Sequence, residues 1–468
     1  MRLVNVSNRI TIPRRTAAPG GLAVGVLAAM RARGGLWFGA SGETSAKETI
    51  APKLMERDQV TYATIDVPDA IYAPYYNGFA NGTLWPLLHS FLGTFHYSAA
   101  EYGAYDAVNS LFAEHLAPLL TDDDLVWIHD YHLVPLAHKL RERGVRNRLG
   151  FFLHIPFPPY DVLRALPVCA ELLGSLLAFD LLGFQTEGDQ LNFLATAAAL
   201  WGETAVGSDS SVHVAGRRTM TGVFPIGVDV EEIEKSANEA MQSKPVRQMQ
   251  VGLQDRPLMI GVDRLDYSKG LLERFAAYRE FLETYPEQQN RVVYVQIAPL
   301  SRTDVRAYVK LRAALEQSSG RTNGLYADTD WTPIRYLNRN FPRNVLMGFF
   351  RLSQVGLVTP VRDGMNLVAK EFVAAQDPAN PGVLVLSSLA GAAAELKDAL
   401  LVNPYDSSAI AKAMQTALTM PLEERRERHR RSLQVLRTND IHHWYKRFLQ
   451  TLYPVELQES AARVVAGA

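Results

Sequence analysis

Short β-branched runs alternate along the chain with longer stretches whose apolar residues recur at helical spacing. Each apolar run ends in polar or glycine-containing sequence. That alternation reads as an α/β protein with mostly parallel sheets. In the first half the pattern predicts strands at 3–6, 125–128, 149–153 and 181–184, with helices over 21–33, 107–119 and 133–143. The segment Phe224-Pro-Ile-Gly-Val-Asp229 closes this half, and a charged helical stretch over 231–254 follows. A second series then opens, with strands at 258–262, 292–297, 355–358 and 383–386. The pattern thus predicts an N-terminal domain over 1–229, a second over 230–441, and a helical segment over 442–468 that crosses back to the first.

Composition narrows the class. At about 150 residues per domain, 468 residues give about three domains or two large ones. Hydrophobic residues make up 47% and charged residues 21%, which excludes disorder. Lysine and arginine number 48 against 49 acids, for a net charge of −1, so no electrostatic footprint for nucleic acid or an anionic membrane is expected. The single cysteine, Cys169, excludes an internal disulfide and a cysteine-based zinc site, and it reads as a small buried hydrophobe. The first residues lack a signal-peptide apolar stretch. The longest apolar stretch, 172–184, is interrupted by Asp180 and is too short to span a bilayer. A cytoplasmic protein is expected.

Candidate chemistry gathers where strands end. The cluster Gly20-Gly21-Leu-Ala-Val-Gly25 follows the first strand and a loop holding Arg9, Arg14 and Arg15. It has neither the dinucleotide-fingerprint spacing nor a Walker lysine, so it reads as a helix start that attracts phosphate or as a plain tight turn. Arg264-Leu-Asp-Tyr-Ser-Lys269-Gly follows the strand ending at Val262, and its two cations suit either an anion clamp or surface ion pairs. Arg302 again lies beyond a strand. The densest run is Val358-Thr-Pro-Val-Arg-Asp363-Gly-Met-Asn-Leu367-Val-Ala-Lys-Glu371, a strand, a charged loop and a helix from about Asn366. There the helix start can receive a diphosphate, Asp363 can accept from sugar hydroxyls, and Glu371 can bind a diol.

Other patterns read more plainly. Asp328-Thr-Asp330 matches an Asp-x-Asp metal motif without further ligands nearby, and reads as a loop. His129 and His132 could share a helix face as metal ligands, but Asp130 between them reads better as an active-site carboxylate after a strand, with the histidines orienting it or satisfied in the core. Asp122-Asp-Asp124 reads as a solvated turn, and the mixed-sign run from Glu423 to Arg431 as a solvated helix face.

Together these stretches resemble the trehalose-6-phosphate synthases, retaining glycosyltransferases of family 20. The resemblance rests on Ser7-Asn-Arg9, Gly35-Leu-Trp-Phe-Gly39, Trp127-Ile-His-Asp-Tyr-His132, His154-Ile-Pro-Phe-Pro158 and Gly183-Phe-Gln-Thr186, besides the runs at 264–270 and 363–371. It covers the chain to about residue 450 and implies a GT-B fold, two Rossmann-like domains with parallel sheets facing a central cleft. It further implies glucose transfer from a nucleotide-glucose, usually UDP-glucose, to glucose-6-phosphate, giving trehalose-6-phosphate and UDP. By resemblance, Arg9, Tyr76, Trp85, Asp130 and Arg302 bind the acceptor. Gly20, Gly21, Arg264, Lys269, Leu367, Val368, Ala369, Lys370 and Glu371 hold the nucleotide diphosphate, and Phe341 lies near the uracil. His154 and Asp363 contact the donor glucose, and Asp130, His154, Arg264, Lys269 and Asp363 form the catalytic set. One departure is Ala40, where relatives often carry a second tryptophan.

A diphosphate leaving group needs preorganised cations and helix dipoles, which Arg264, Lys269 and the helix start at Leu367 supply without a metal. No metal and no separate cofactor are therefore expected, and a homo-oligomer is. Two alternatives fit part of the pattern: a sister enzyme using another phosphorylated acceptor such as glycerol-3-phosphate, and a non-catalytic sugar-phosphate sensor. The sensor would be expected to lack the Arg264/Lys269 pair.

Overall fold

The computed structural model describes residues 2–10, 26–27, 30, 34–46, 51–300 and 306–454. The chain divides into two compact units. One runs up to Pro225 and resumes at Ile441, and the other contains Ile226–Asp440.

The described strands of the first unit are β1 (Leu3–Arg9), β2 (Gly35–Ser45), β3 (Lys53–Arg57), β4 (Val60–Pro68), β5 (Leu125–His129), β6 (Arg148–Phe152), β7 (Leu181–Phe184), β8 (Ser211–Val214) and β9 (Arg217–Val223). They form one sheet in the order β3-β4-β2-β1-β5-β6-β7-β9-β8. The interior pairs are parallel, and β1 lies between β2 and β5. The two edge strands, β3 and β8, are antiparallel to their neighbours. Both edges are hairpins closed by two residues at positive φ: Asp58 (50°) with Gln59 (62°), and Ala215 (49°) with Gly216 (76°). Such turns follow the right-handed twist of the strands they join. The long helix α1 (Ala99–Leu116) buries Tyr105, Val108 and Phe112 at helical spacing.

The second unit holds α2 (Val230–Ala240) and α3 (Lys244–Leu253) before its first strand. The single charged helix expected over 231–254 is therefore two. Pro245 has no N–H to continue the first helix, and it sits in the opening turn of the second. Six strands follow: β10 (Leu258–Val262), β11 (Val293–Ile297), β12 (Ile334–Leu337), β13 (Val355–Val358), β14 (Val383–Ser387) and β15 (Leu400–Val402). They pair in parallel in the order β12-β11-β10-β13-β14-β15. Counted from β10, that is the 3-2-1-4-5-6 order of a Rossmann sheet, whose strand order reverses between β10 and β13. Helices α4 (Leu271–Thr284), α5 (Arg343–Leu352), α6 (Leu367–Ala375) and α7 (Leu422–Thr438) belong to the same unit.

The chain then returns to the first unit as α8 (Ile441–Leu452), which buries Ile441, Trp444, Tyr445, Phe448, Leu449 and Leu452. This helix packs on β6 and β7. Its close seat depends on two glycines, because a Cβ at Gly150 or Gly183 would meet the Phe448 ring at 2.7 Å. The same ring stacks on Trp127 at 4.6 Å. No helix among the described residues is long and apolar enough to cross a membrane.

Candidate active site

In an open parallel sheet, ligands bind beyond the carboxyl ends of the strands where the strand order reverses. In the second unit that point lies between the loops after β10 and β13. The two loops are joined by backbone hydrogen bonds from Val361 N (2.9 Å) and Arg362 N (3.3 Å) to Ser268 O. They approach so closely that Gly270, at φ +64°, has no room for a side chain: a Cβ would meet Thr359 O at 2.2 Å. Across this junction Lys269 Nζ donates to Asp363 Oδ2 at 2.5 Å, and Asn366 Nδ2 donates to the same oxygen at 2.9 Å. Asn366 also caps α6, its Oδ1 accepting from Ala369 N, from a left-handed backbone that asparagine tolerates better than most residues. With Asn366 taking the amide of Ala369, the amides of Leu367 and Val368 are the ones the helix start has to offer an anion.

Behind the loops lies a buried network. Arg274 pairs with Asp263 at 2.7 Å and also donates to Thr359 Oγ1, Gln296 Oε1 and the carbonyl of Lys269. One guanidinium therefore braces the ends of β10, β11 and β13. Burial pushes the Asp263 carboxyl up, against the opposing pull of Arg274.

The first unit repeats the arrangement, since its strand order reverses between β1 and β5. Arg9 ends β1 and Asp130 directly follows β5. A register shift between Val6 and Arg9 re-aims the end of β1, and the Arg9 guanidinium lies over Gly42 (φ +92°), where a Cβ would meet Nε at 2.3 Å. The rest of the Ser7-Asn-Arg motif is anchored: Ser7 Oγ accepts from Trp37 Nε1 (2.9 Å), and Asn8 Oδ1 accepts from Tyr75 OH (2.5 Å). Ala40 pairs with Arg9 in register and is buried.

Asp130 has φ 73° and ψ 165°, a region nearly restricted to glycine. Its Oδ1 accepts from the backbone N of His154 (3.3 Å), whose ring meets His129 (3.1 Å). Tyr76 is stacked between Tyr72 and His132. Trp85 is buried against His89 and Tyr131.

Other expected residues take varied places. Arg264 is exposed just after β10. Glu371 Oε1 receives two donors from Arg343 (3.2 and 3.1 Å), and burial raises its carboxyl against the lowering effect of that arginine. Phe341, two residues before Arg343, carries the Arg339 guanidinium over its ring at 4.4 Å. Lys370 is fully buried and gives its ammonium to Ile226 O (2.7 Å) and Glu395 Oε2 (2.5 Å), so its side chain is committed within the second unit. Gly20, Gly21 and Arg302 lie outside the described residues.

Asp330 pairs with Arg256 at 2.7 Å in a turn. Among the described residues no group of three or more His, Cys, Asp or Glu side chains is placed to hold a metal ion. The turn expected to be solvated at 122–124 is only partly so: Asp124 is buried, because its carboxylate takes two donors from Arg2 and the amide of Thr121. Cys169 lines an apolar cavity, and burial pushes its thiol up to about 11. Asn366, Arg343 and Arg274 are site residues that the sequence reading does not assign, and of these Asn366 alone carries a local signal, an asparagine just before an apolar helical run.

A family model for glycosyltransferase family 20 matches residues 6–454. The chain belongs to glycosyltransferase family 20. Its two Rossmann-like units give it the GT-B fold of that family. A trehalose-6-phosphate synthase from Citrobacter koseri is 51% identical over 455 residues, covering 97% of this chain and 95% of the relative. A UDP-forming α,α-trehalose-phosphate synthase from Burkholderia xenovorans, solved in complex with glucose-6-phosphate, has a TM-score of 0.93 at 48% identity, over 97% of this chain and all of that one. A structure from E. coli bound with UDP-2-fluoro glucose has a TM-score of 0.92 at 50% identity, over 97% of this chain and 99% of that one.

Proposed function

We propose that this family-20 glycosyltransferase moves glucose from UDP-glucose to glucose-6-phosphate with retention, forming α,α-trehalose-6-phosphate and UDP. The observation that carries the reading is the junction of Lys269, Asp363 and Asn366 beside the start of α6, at the point where the second sheet reverses its strand order. Relatives solved with glucose-6-phosphate and with UDP-2-fluoro glucose support the choice of substrates.

In this reading Arg264, Lys269, the amides at Leu367 and Val368, and the glycines Gly20 and Gly21 hold the nucleotide diphosphate, Glu371 accepts from the ribose diol, and Phe341 lies near the base. Arg9, Tyr76, Trp85, Asp130 and Arg302 hold the acceptor, and His154 and Asp363 meet the donor glucose. Negative charge grows on the β-phosphate as its bond to the anomeric carbon breaks, and a cation already in place stabilises that charge without reorganising. Asp363 gives one oxygen to both Lys269 and Asn366, which suits it to orient the ammonium rather than attack carbon. The acceptor hydroxyl then adds on the face the diphosphate leaves, and its proton passes to a departing phosphate oxygen.

The test is purified protein with UDP-, ADP- and GDP-glucose against glucose-6-phosphate, glycerol-3-phosphate and glucose, with products identified by mass. A trehalose-6-phosphate product that requires the phosphorylated sugar is expected. Transfer to glycerol-3-phosphate instead, or no transfer at all, would overturn the proposal.

A further inference from the structure

Both ring nitrogens of His129 are occupied. Nε2 lies 2.7 Å from Asn5 Oδ1, and Nδ1 lies 3.1 Å from His154 Nε2. An amide oxygen only accepts, so the proton of a neutral His129 sits on Nε2. Its Nδ1 then accepts, and His154 Nε2 is the donor. Both rings are neutral at physiological pH. Burial, with His154 as a second cause, pushes His129 well below the ordinary histidine value, and burial pushes His154 down to about 3.

The arrangement is built from separate elements. Asn5 comes from β1, His129 ends β5, His154 follows β6, and Trp444 of α8 lies 6.4 and 6.1 Å from the two imidazoles. The groups around His129 are Asn5, His154 and the rings of Trp127 and Trp444. The neighbouring carboxylate, Asp130, is engaged with the backbone amide of His154. His154 is thus held at its backbone by Asp130 and at its ring by His129.

We propose that His129, oriented by Asn5, is a positioning residue that locks His154 in the Nε2–H tautomer, so that the Nδ1 it offers the donor glucose accepts from a sugar hydroxyl. This rests on the reading above that His154 meets that sugar.

Asn5→Asp keeps the shape of the side chain but sets a carboxylate against His129 Nε2. An adjacent negative charge favours the imidazolium and brings its titration back toward the physiological range. A protonated His129 has to donate from Nδ1, which forces His154 into the other tautomer. Asn5→Asp is therefore expected to match the wild type at alkaline pH. Its kcat should fall with a single protonation as pH drops through the histidine range, with little change in KM for glucose-6-phosphate. His129→Leu should lose about 10- to 100-fold in kcat, the range found when the outer hydrogen-bond partner of a metal-ligating histidine is removed. His129→Asn, whose amide oxygen can stand in for Nδ1, should recover part of that loss. A loss in Asn5→Asp that does not vary with pH overturns the proposal.

A readout independent of activity is the ¹⁵N shifts of histidine-labelled wild-type protein, assigned with the His129 variants. A proton on Nε2 of both rings at neutral pH is expected, and a proton on Nδ1 of either ring overturns the proposal. Failure of the wild type itself to transfer glucose would remove the function reading, whereas the nitrogen shifts judge the tautomer lock alone.

Discussion

Lys269 reaches Asp363 across the junction of two loops, so its ammonium is fixed before any substrate arrives. A partner of the leaving diphosphate acts mainly where charge develops, so Lys269→Ala should lower kcat and leave the acceptor KM nearly unchanged. Losing one such contact costs roughly 2.7–4 kcal/mol, or about a hundred- to a thousandfold in rate. A raised acceptor KM at normal kcat would assign the lysine to the other substrate. Asp130 shows the opposite balance. Its backbone sits where glycine is at ease and other residues carry about 1–3 kcal/mol of strain. Asp130→Gly should therefore raise thermal stability by about 1 kcal/mol, after the greater chain entropy of glycine is offset, while acceptor use falls. A melting temperature below that of the wild type would show that the carboxylate contributes more than its strain costs.

At the scale of elements, the second site is two strand–loop–helix units locked together at one glycine. Gly270→Ala combines a left-handed backbone, costing roughly 1–2 kcal/mol, with a methyl group that overlaps the Thr359 carbonyl. The two loops have to part, so kcat for glucosyl transfer and the urea midpoint should both fall. Unchanged kinetics in a destabilised variant would mean that Lys269 and Asp363 tolerate the displacement. Much of this element-level layout was legible in the sequence. The expected strands at 258–262 and 355–358 are β10 and β13, because continuous apolar runs followed by charged loops have few other meanings in a parallel sheet. The edge hairpins were not legible: Asp58-Gln59 and Ala215-Gly216 are poor matches to the asparagine–glycine turn signal, and tertiary context decides them. Nor could spacing show that Arg274 stands behind Lys269, or that His129 faces Asn5 across 124 positions of sequence. Those pairings exist only once the sheets do.

For the whole molecule, buried neutral histidines contribute to the response to acid. The folded-state values of His129 and His154 lie below the 6.5 of a free histidine, so the unfolded chain binds more protons as pH falls. Stability is then fully present above about pH 6.5 and declines as pH falls below it, toward about pH 3 for His154, by up to roughly 1.4 kcal/mol per pH unit for each histidine. Urea midpoints at pH 7.5 and pH 5 measure this, and equal midpoints would contradict it. Turnover itself should survive excess EDTA, because the proposed diphosphate clamp is made of side-chain cations and backbone amides. Complete loss restored by Mg²⁺ or Mn²⁺ would return Asp328 and Asp330 to consideration. The return of α8 to the first unit also bears on how the chain is made. Its apolar face is the cover for β6 and β7, yet it is translated after the whole of Ile226–Asp440. At about 5–20 residues per second, the ribosome takes roughly 10–40 s to cross that insertion. Throughout that interval the strip around Trp127, Gly150 and Gly183 has no lid. The part of the protein begun first is finished last, and its bare strip is the surface a holding chaperone would meet on the nascent chain.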